Sequence, residues 1–143
     1  YRNKTPYRIR LYNESGKIIR QDTYEDSPSS GYRILYYLNG NIKEEFEYNR
    51  KDIKNGKFLS YFNDGSLETD LEYLDGEMIG TCTWYFPSGN LLRIKEFMIN
   101  SNYQIDFYEN GERKSEGSFV ENQLDGRWIF YNIDGTISSE INY

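Results

Sequence analysis

The sequence predicts an all-β fold: a single-layer, twisted, antiparallel meander of about six tandem β-hairpin repeats. Three observations predict it. A glycine suited to a tight turn recurs six times, at intervals of 22 to 25 residues. An aromatic residue stands four positions before each of these glycines, and another stands eight positions after it. Only 17% of the chain is aromatic, so the agreement of both columns indicates a repeated structural unit.

The turn glycines set the register of the repeat. They are Gly16, Gly40, Gly65, Gly89, Gly111 and Gly135. The aromatic residues before them are Tyr12, Tyr36, Tyr61, Tyr85, Phe107 and Tyr131, and those after them are Tyr24, Tyr48, Tyr73, Phe97, Phe119 and Tyr143. We therefore expect a single array over residues 1–143, with units at 7–24, 31–48, 56–73, 80–97, 102–119 and 126–143.

Each unit is predicted to be a strand, a tight turn and a second strand. Four turns pair the glycine with a preceding residue that tolerates positive φ, which is typical of hairpins: Asn39, Asp64, Asn110 and Asp134. Ser15-Gly16 and Ser88-Gly89 are weaker versions of the same signal. The connections, such as residues 25–30 and 121–125, are polar and short, so successive hairpins are expected to continue one meander.

The strand after each turn alternates between apolar and polar residues. Positions two and eight after the glycine share one face and are apolar except for Arg113 at position two, whereas positions three, five and seven point to the other side. Position six is mixed: Phe46, Leu71 and Ile141 suit the apolar face, but Asp22, Lys95 and Gly117 do not. The strands before the turns carry bulky residues on both faces. We therefore expect a thin buried strip rather than a sealed core.

Composition limits the classes of function. The chain has no histidine, which excludes histidine-based catalytic triads and zinc sites. Its net charge of −6 disfavours nucleic acid and anionic membranes as partners and favours a basic protein. No apolar run is long enough for a transmembrane segment. The single cysteine, Cys82, is expected to be a buried thiol.

The recurring motif resembles the MORN repeat, in particular the bacterial variant of the YwqK-like antitoxin family. Residues 61–86 are the closest stretch, with motif positions at Tyr61, Gly65, Leu67, Tyr73, Gly76 and Gly80. The resemblance implies an elongated single-layer sheet and roles that range from toxin neutralisation to scaffolding and lipid binding. The sequence departs from the motif near residues 98–104. Residues 34–42 are also similar to choline-binding cell-wall repeats, although the chain has only two tryptophans for ligand cages.

The candidate site is a stripe of acids on the polar face of the strands that follow the turns. Its residues are Glu45, Glu47, Asp70, Glu72, Glu96, Glu116 and Glu140. Equivalent strands lie about 9.6 Å apart, so these acids line up along the sheet. One interpretation is a solvated face that limits aggregation, and the other is a docking surface for a basic partner. Glycosidase chemistry is disfavoured because an open sheet offers no pocket to raise one acid's pKa.

These features predict a non-catalytic protein-binding module, of antitoxin or immunity type by resemblance, whose partner is a protein such as a basic toxin. The alternatives are a structural, lipid-adjacent scaffold and a carbohydrate- or cell-wall-binding protein. No metal and no cofactor are expected. Because the sequence begins at Tyr1, we expect an upstream segment. An antitoxin would be cytoplasmic, whereas a removed signal peptide would indicate an exported protein. Exposed edge strands leave end-to-end self-association open.

Overall fold

The computed structural model describes residues 7–24 and 30–143, and every regular element in these ranges is a β-strand. Residues 25–29 of the connection predicted at 25–30 lie outside the described ranges. The strands are β1 Tyr7–Tyr12, β2 Ile18–Tyr24, β3 Ser30–Tyr36, β4 Ile42–Asn49, β5 Lys54–Tyr61, β6 Leu67–Leu74, β7 Glu77–Tyr85, β8 Leu91–Phe97, β9 Asn102–Phe107, β10 Arg113–Val120, β11 Gln123–Tyr131 and β12 Ile137–Asn142. No helix of the described residues has the length and apolar character needed to cross a membrane.

The chain divides into two compact units, residues 1–77 and 78–143. The first contains β1 to β6, and the second contains β8 to β12 with nearly all of β7. Within each unit every strand pairs with the next one along the chain, always antiparallel. The predicted all-β meander of tandem hairpins is thus confirmed. The grouping of all units into one array remains a prediction.

The hairpin turns differ from the predicted geometry in one respect. In the second hairpin the N–H of Gly40 donates to the carbonyl of Tyr37 at 3.0 Å, and the N–H of Tyr37 donates to the carbonyl of Asn41 at 2.9 Å. Gly40 has a φ of 95°, whereas Asn39 is not among the residues with positive φ. The turn is therefore a three-residue loop that ends in a left-handed glycine. Asn39 contributes instead through its side-chain oxygen, which accepts from the N–H of Asn41 at 3.0 Å.

Positive φ at two successive residues occurs in a connection between hairpins. Glu121 and Asn122 have φ values of 49° and 65°, and the flanking residues Val120 and Gln123 are paired. The connection predicted over residues 121–125 is therefore only two residues long, because β11 begins at Gln123. A short connection of this kind keeps β10 and β11 adjacent.

Each hairpin also contains a β-bulge beside its turn. In the second hairpin Leu35 pairs with Glu44 and Tyr36 pairs with Ile42, so Lys43 is an extra residue on one strand. The same shift of register occurs in the other five hairpins. Because side chains alternate with a period of two, one extra residue changes which face the following side chains occupy.

Aromatic rings line one face of the first unit, which we call its ring face. Centroids lie 6.1 Å apart for Tyr24 and Tyr48, 5.7 Å for Phe46 and Phe58, and 5.7 Å for Phe58 and Tyr73. The first two contacts join neighbouring hairpins, whereas Phe58 and Tyr73 belong to the same hairpin. Such ring contacts contribute about 0.5–1.5 kcal/mol each beyond the area that they bury.

Basic side chains cover this ring face in place of a second layer of sheet. The guanidinium carbon of Arg33 lies 4.6 Å from the ring centroid of Tyr48, and the ammonium of Lys54 lies 3.7 Å from that of Phe58. Cations attract the negative face of an aromatic ring while their aliphatic stems exclude water. Burial lowers the pKa of Lys54.

Asp22, which is polar at a position predicted to be apolar, lies under this cover. Only 3% of Asp22 is exposed, and its carboxylate accepts from Arg33 at 2.7 Å and from Arg20 at 2.7 Å. Arg33 also pairs with the exposed Asp52 at 2.7 Å. Asp22 therefore holds Arg33 over the rings, which explains its departure from the apolar pattern.

The second unit explains the other two exceptions at position six. The ammonium of Lys95 lies 5.0 Å from the ring centroid of Phe97 and 5.1 Å from that of Phe119. The indole of Trp128 lies directly on Gly117, where an added Cβ would overlap the ring. Trp128 also contacts Phe119, with centroids 5.0 Å apart. Lys95 thus covers aromatic rings of this unit, and Gly117 leaves room for the indole of Trp128.

The core is thin, as predicted. Among the described residues the buried hydrophobic side chains are Phe46, Tyr48, Phe58, Leu71, Cys82 and Trp128. Cys82 is fully buried, which confirms the expectation for its thiol.

Candidate functional site

The predicted acids lie on the face opposite the rings, which we call the acid face of each unit. In β4, Glu45 and Glu47 alternate with the buried Phe46 and Tyr48. Glu45 is paired with Leu59 of β5, and Leu59 is paired with Asp70 of β6. In the second unit Glu116 and Glu140 flank Ile129 in the same way. Equivalent acids of neighbouring hairpins are thus separated by one apolar residue.

Glu45 is held by two tyrosines from different hairpins. The hydroxyl of Tyr32, in the same hairpin, donates to one carboxylate oxygen. The hydroxyl of Tyr61, in the next hairpin, donates to the other oxygen at 2.5 Å. Burial, and then the hydrogen bond to Glu45, raises the pKa of Tyr61 to about 12 and that of Tyr32 further. Both phenols therefore remain protonated and act as donors. The half-buried Glu45 links two neighbouring hairpins through these hydrogen bonds.

Glu116 occupies the corresponding site in the second unit. It accepts from the hydroxyl of Tyr103 at 3.0 Å, from that of Tyr131 at 2.5 Å and from the guanidinium of Arg113 at 2.9 Å. Burial acts to raise the pKa of Glu116, but the hydrogen bonds and the charge of Arg113 outweigh it and hold the pKa below its ordinary value. Glu116 therefore stays ionised although only 8% of the residue is exposed.

Two further acids form ion pairs within their own hairpins. Asp70 pairs with Lys57, and Glu140 pairs with Arg127 at 2.8 Å. The hydrogen bond and charge of Arg127 lower the pKa of Glu140. The side chains of these pairs are largely solvent-accessible, so each pair contributes little to stability.

The other three predicted acids, Glu47, Glu72 and Glu96, are exposed. Within residues 7–24 and 30–143 none of the three forms a salt bridge. The carboxylate of Glu47 lies over Gly56, where an added Cβ would overlap it. Within the described residues a partner reaches these three side chains without displacing a salt bridge.

The sequence analysis missed the tyrosines that hold Glu45 and Glu116. It placed Tyr61 only in the aromatic column before the turn, whereas the hydroxyl of Tyr61 donates to Glu45 on the acid face. The residue eight positions before the turn glycine does indicate which acids are held by tyrosine. A tyrosine there accompanies a glutamate at position five, and a basic residue there accompanies an ion-paired acid: Tyr32 with Glu45, Tyr103 with Glu116, Lys57 with Asp70, and Arg127 with Glu140.

Comparison with protein families supports the repeat. Residues 30–50 and 78–98 match the family model of the MORN repeat variant. These segments contain the second hairpin, β3 and β4, and the fourth, β8 with all of β7 except Glu77. A search of curated proteins finds none that matches the chain. The MORN repeat resemblance is thus confirmed in two hairpins, and the narrower resemblance to YwqK-like antitoxins stays a prediction.

Proposed function

We propose that the chain is a non-catalytic protein-binding module of antitoxin or immunity type, which captures and neutralises a basic protein through its acid faces. The observation that carries this proposal is the exposure of Glu47, Glu72 and Glu96 without salt bridges among the described residues. Exposed acids without salt bridges attract a basic surface and orient it during encounter. The net charge of −6 acts in the same direction.

The other four predicted acids contribute differently to this surface. Asp70 and Glu140 are already paired, and a partner's cation exchanges with Lys57 or Arg127 at small cost because exposed pairs are worth about 0–1 kcal/mol. Glu45 and Glu116 are fixed by tyrosines, so their charges have defined positions. We therefore propose all seven acids as partner-binding, with the exposed three making first contact.

The lowered pKa values of two of these acids support docking rather than catalysis. A general acid in glycoside hydrolysis needs a raised pKa. The pKa values of Glu116 and Glu140 are instead held below their ordinary values. Carboxylates that stay ionised suit a surface that attracts cations. The match to a MORN repeat variant at residues 30–50 and 78–98 also fits a repeated binding module.

The test compares two charge-reversal variants of equal net charge as baits in a lysate of the source organism. One carries Glu47→Lys, Glu72→Lys and Glu96→Lys on the acid faces. The matched control reverses three other exposed acids, Glu14, Glu77 and Glu109. We expect the wild type and the control to retain the same basic protein and the acid-face variant to lose it. Equal retention by both variants would remove the acid faces from the proposal.

A further inference from the structure

The Glu45 and Glu116 sites are two copies of one construction. Each glutamate stands five residues after a turn glycine, Gly40 or Gly111. In both copies a tyrosine of the same hairpin donates to Oε2, and a tyrosine of the next hairpin donates to Oε1. The same oxygens therefore have the same kind of donor in each unit.

The apolar walls of the two sites also correspond. Each glutamate is paired on one side with an isoleucine of its own hairpin and on the other side with an aliphatic residue of the next. These neighbours are Ile34 and Leu59 for Glu45, and Ile105 and Ile129 for Glu116.

One position distinguishes the copies. Arg113, two residues after Gly111, donates through Nη1 to both carboxylate oxygens of Glu116, at 3.0 and 2.9 Å. The equivalent residue in the first unit is Ile42. Over the described ranges no cation forms a salt bridge with Glu45. Glu45 is also more exposed than the buried Glu116.

We propose that the Glu45 site receives an arginine side chain of the partner protein, at the place that Arg113 fills in the second unit. This inference rests on the proposed function, because it assigns one anchor residue of the partner. A carboxylate accepts about four hydrogen bonds, so the two from tyrosine leave each oxygen of Glu45 able to accept another. A guanidinium that donates to both oxygens, as Arg113 does, fills the remaining acceptor positions with charge-assisted hydrogen bonds.

The surroundings of Glu45 favour a cation. Glu47 is exposed on the same face, and Asp70 lies beyond Leu59 with Lys57 as its partner. These acids attract a side-chain guanidinium. An arginine within a polypeptide presents only that group, whereas free arginine also has an α-ammonium, which these acids attract, and an α-carboxylate, which they repel.

The test titrates ¹³C-labelled protein with N-acetylarginine amide and follows the side-chain carboxyl resonances of Glu45 and Glu116. We expect a saturable shift at Glu45 and none at Glu116. Ile42→Arg gives the first unit an arginine at the position that Arg113 holds in the second. Its guanidinium should occupy Glu45, so N-acetylarginine amide should bind there at least about tenfold more weakly, as expected when charge-assisted hydrogen bonds are lost. Arg113→Ile should have the opposite effect and create a saturable shift at Glu116. Retained chemical shifts elsewhere show that each variant is folded.

Two comparison ligands complete the test. N-acetyllysine amide should bind more weakly than N-acetylarginine amide, because an ammonium lacks the planar donors of a guanidinium, and free L-arginine should bind no more tightly than N-acetylarginine amide. An unsaturable response of the wild type, or equal binding by Ile42→Arg, would overturn the proposal. Tighter binding of free arginine would overturn the assignment to a protein partner. If this site fails while capture still depends on Glu47, Glu72 and Glu96, the proposed function stands without this anchor.

Discussion

The carboxylate of Glu45 accepts a 2.5 Å hydrogen bond from the hydroxyl of Tyr61, which belongs to the following hairpin. The same relationship joins Glu116 to Tyr131 in the second unit. In each unit one acid of the acid face therefore also connects two repeats. Glu45 and Glu116 thus stabilise the contact between hairpins, and the proposed function gives the same side chains a second role in partner binding.

Tyr61→Phe should destabilise the protein by about 1–2 kcal/mol, since it leaves a half-buried carboxylate with one donor fewer. The free energy of unfolding in urea measures this effect. Tyr12→Phe is the matched control, because Tyr12 holds the same repeat position and is 55% exposed. Its change should stay within about 0.5 kcal/mol. Equal effects of the two substitutions would contradict the conclusion that Glu45 links two hairpins.

Asp22→Asn should cost about 1–3 kcal/mol, because a buried amide replaces the carboxylate that Arg33 and Arg20 share, while Arg33 keeps its ion pair with Asp52. Asp52→Asn removes the other ion pair of the same arginine, at the same distance of 2.7 Å. The side chain of Asp52 is 62% exposed, so this control should cost less than about 1 kcal/mol. Chemical denaturation distinguishes these values. Similar losses would show that the burial of Asp22 does not determine its contribution.

Gly117→Ala should destabilise the second unit by about 1–3 kcal/mol, because the added methyl group overlaps the indole of Trp128. Trp128→Leu removes that indole. In the Trp128→Leu background the same alanine should cost much less, and the difference is the coupling between the two positions. Thermal unfolding of the four proteins completes the cycle. Additive effects would mean that the indole does not require the glycine.

The lowered pKa of Glu116 predicts a loss of stability in acid. A carboxylate with a depressed folded-state pKa stabilises the protein above its unfolded pKa of about 4.3, and the contribution disappears as the pH falls through the folded value. Glu116→Gln should therefore flatten the dependence of unfolding free energy on pH below about 4.3. Glu109→Gln, a substitution of an exposed acid in a turn, is the control and should keep the wild-type slope. An unchanged slope in Glu116→Gln would contradict the prediction.

The fold was predictable because turn glycines and aromatic columns recur in register, and both reflect local requirements of a hairpin. The face of Tyr61 was not predictable from alternation across the turn. A bulge beside each turn inserts one residue and breaks the period of two between the paired strands. The predicted position of Glu45 on the polar face was right, but its burial depends on Tyr32 and Tyr61, which approach from other strands. The period of two within one strand does not predict contacts between strands, although the repeat positions of Tyr32 and Glu45 indicate one of these two.

Asp22 and Lys95 show a second limit of the pattern. Both are charged at a position that alternation assigns to the apolar face. The structure places them there because a single layer needs a cover for its rings, and Arg33 and Lys95 supply that cover. Alternation predicts which face a side chain occupies, whereas the partner that makes a charge tolerable there depends on neighbouring hairpins.

The rate of association between the chain and the basic protein that we propose as its partner tests the central claim most directly. The account predicts that the rate constant falls steeply as salt is added, because exposed acids steer the encounter. The dependence on salt should be much weaker for the variant reversed at Glu47, Glu72 and Glu96. It should be unchanged for the control reversed at Glu14, Glu77 and Glu109. A rate independent of salt, or equal slopes in the two variants, would contradict the claim that the acid faces bind the partner.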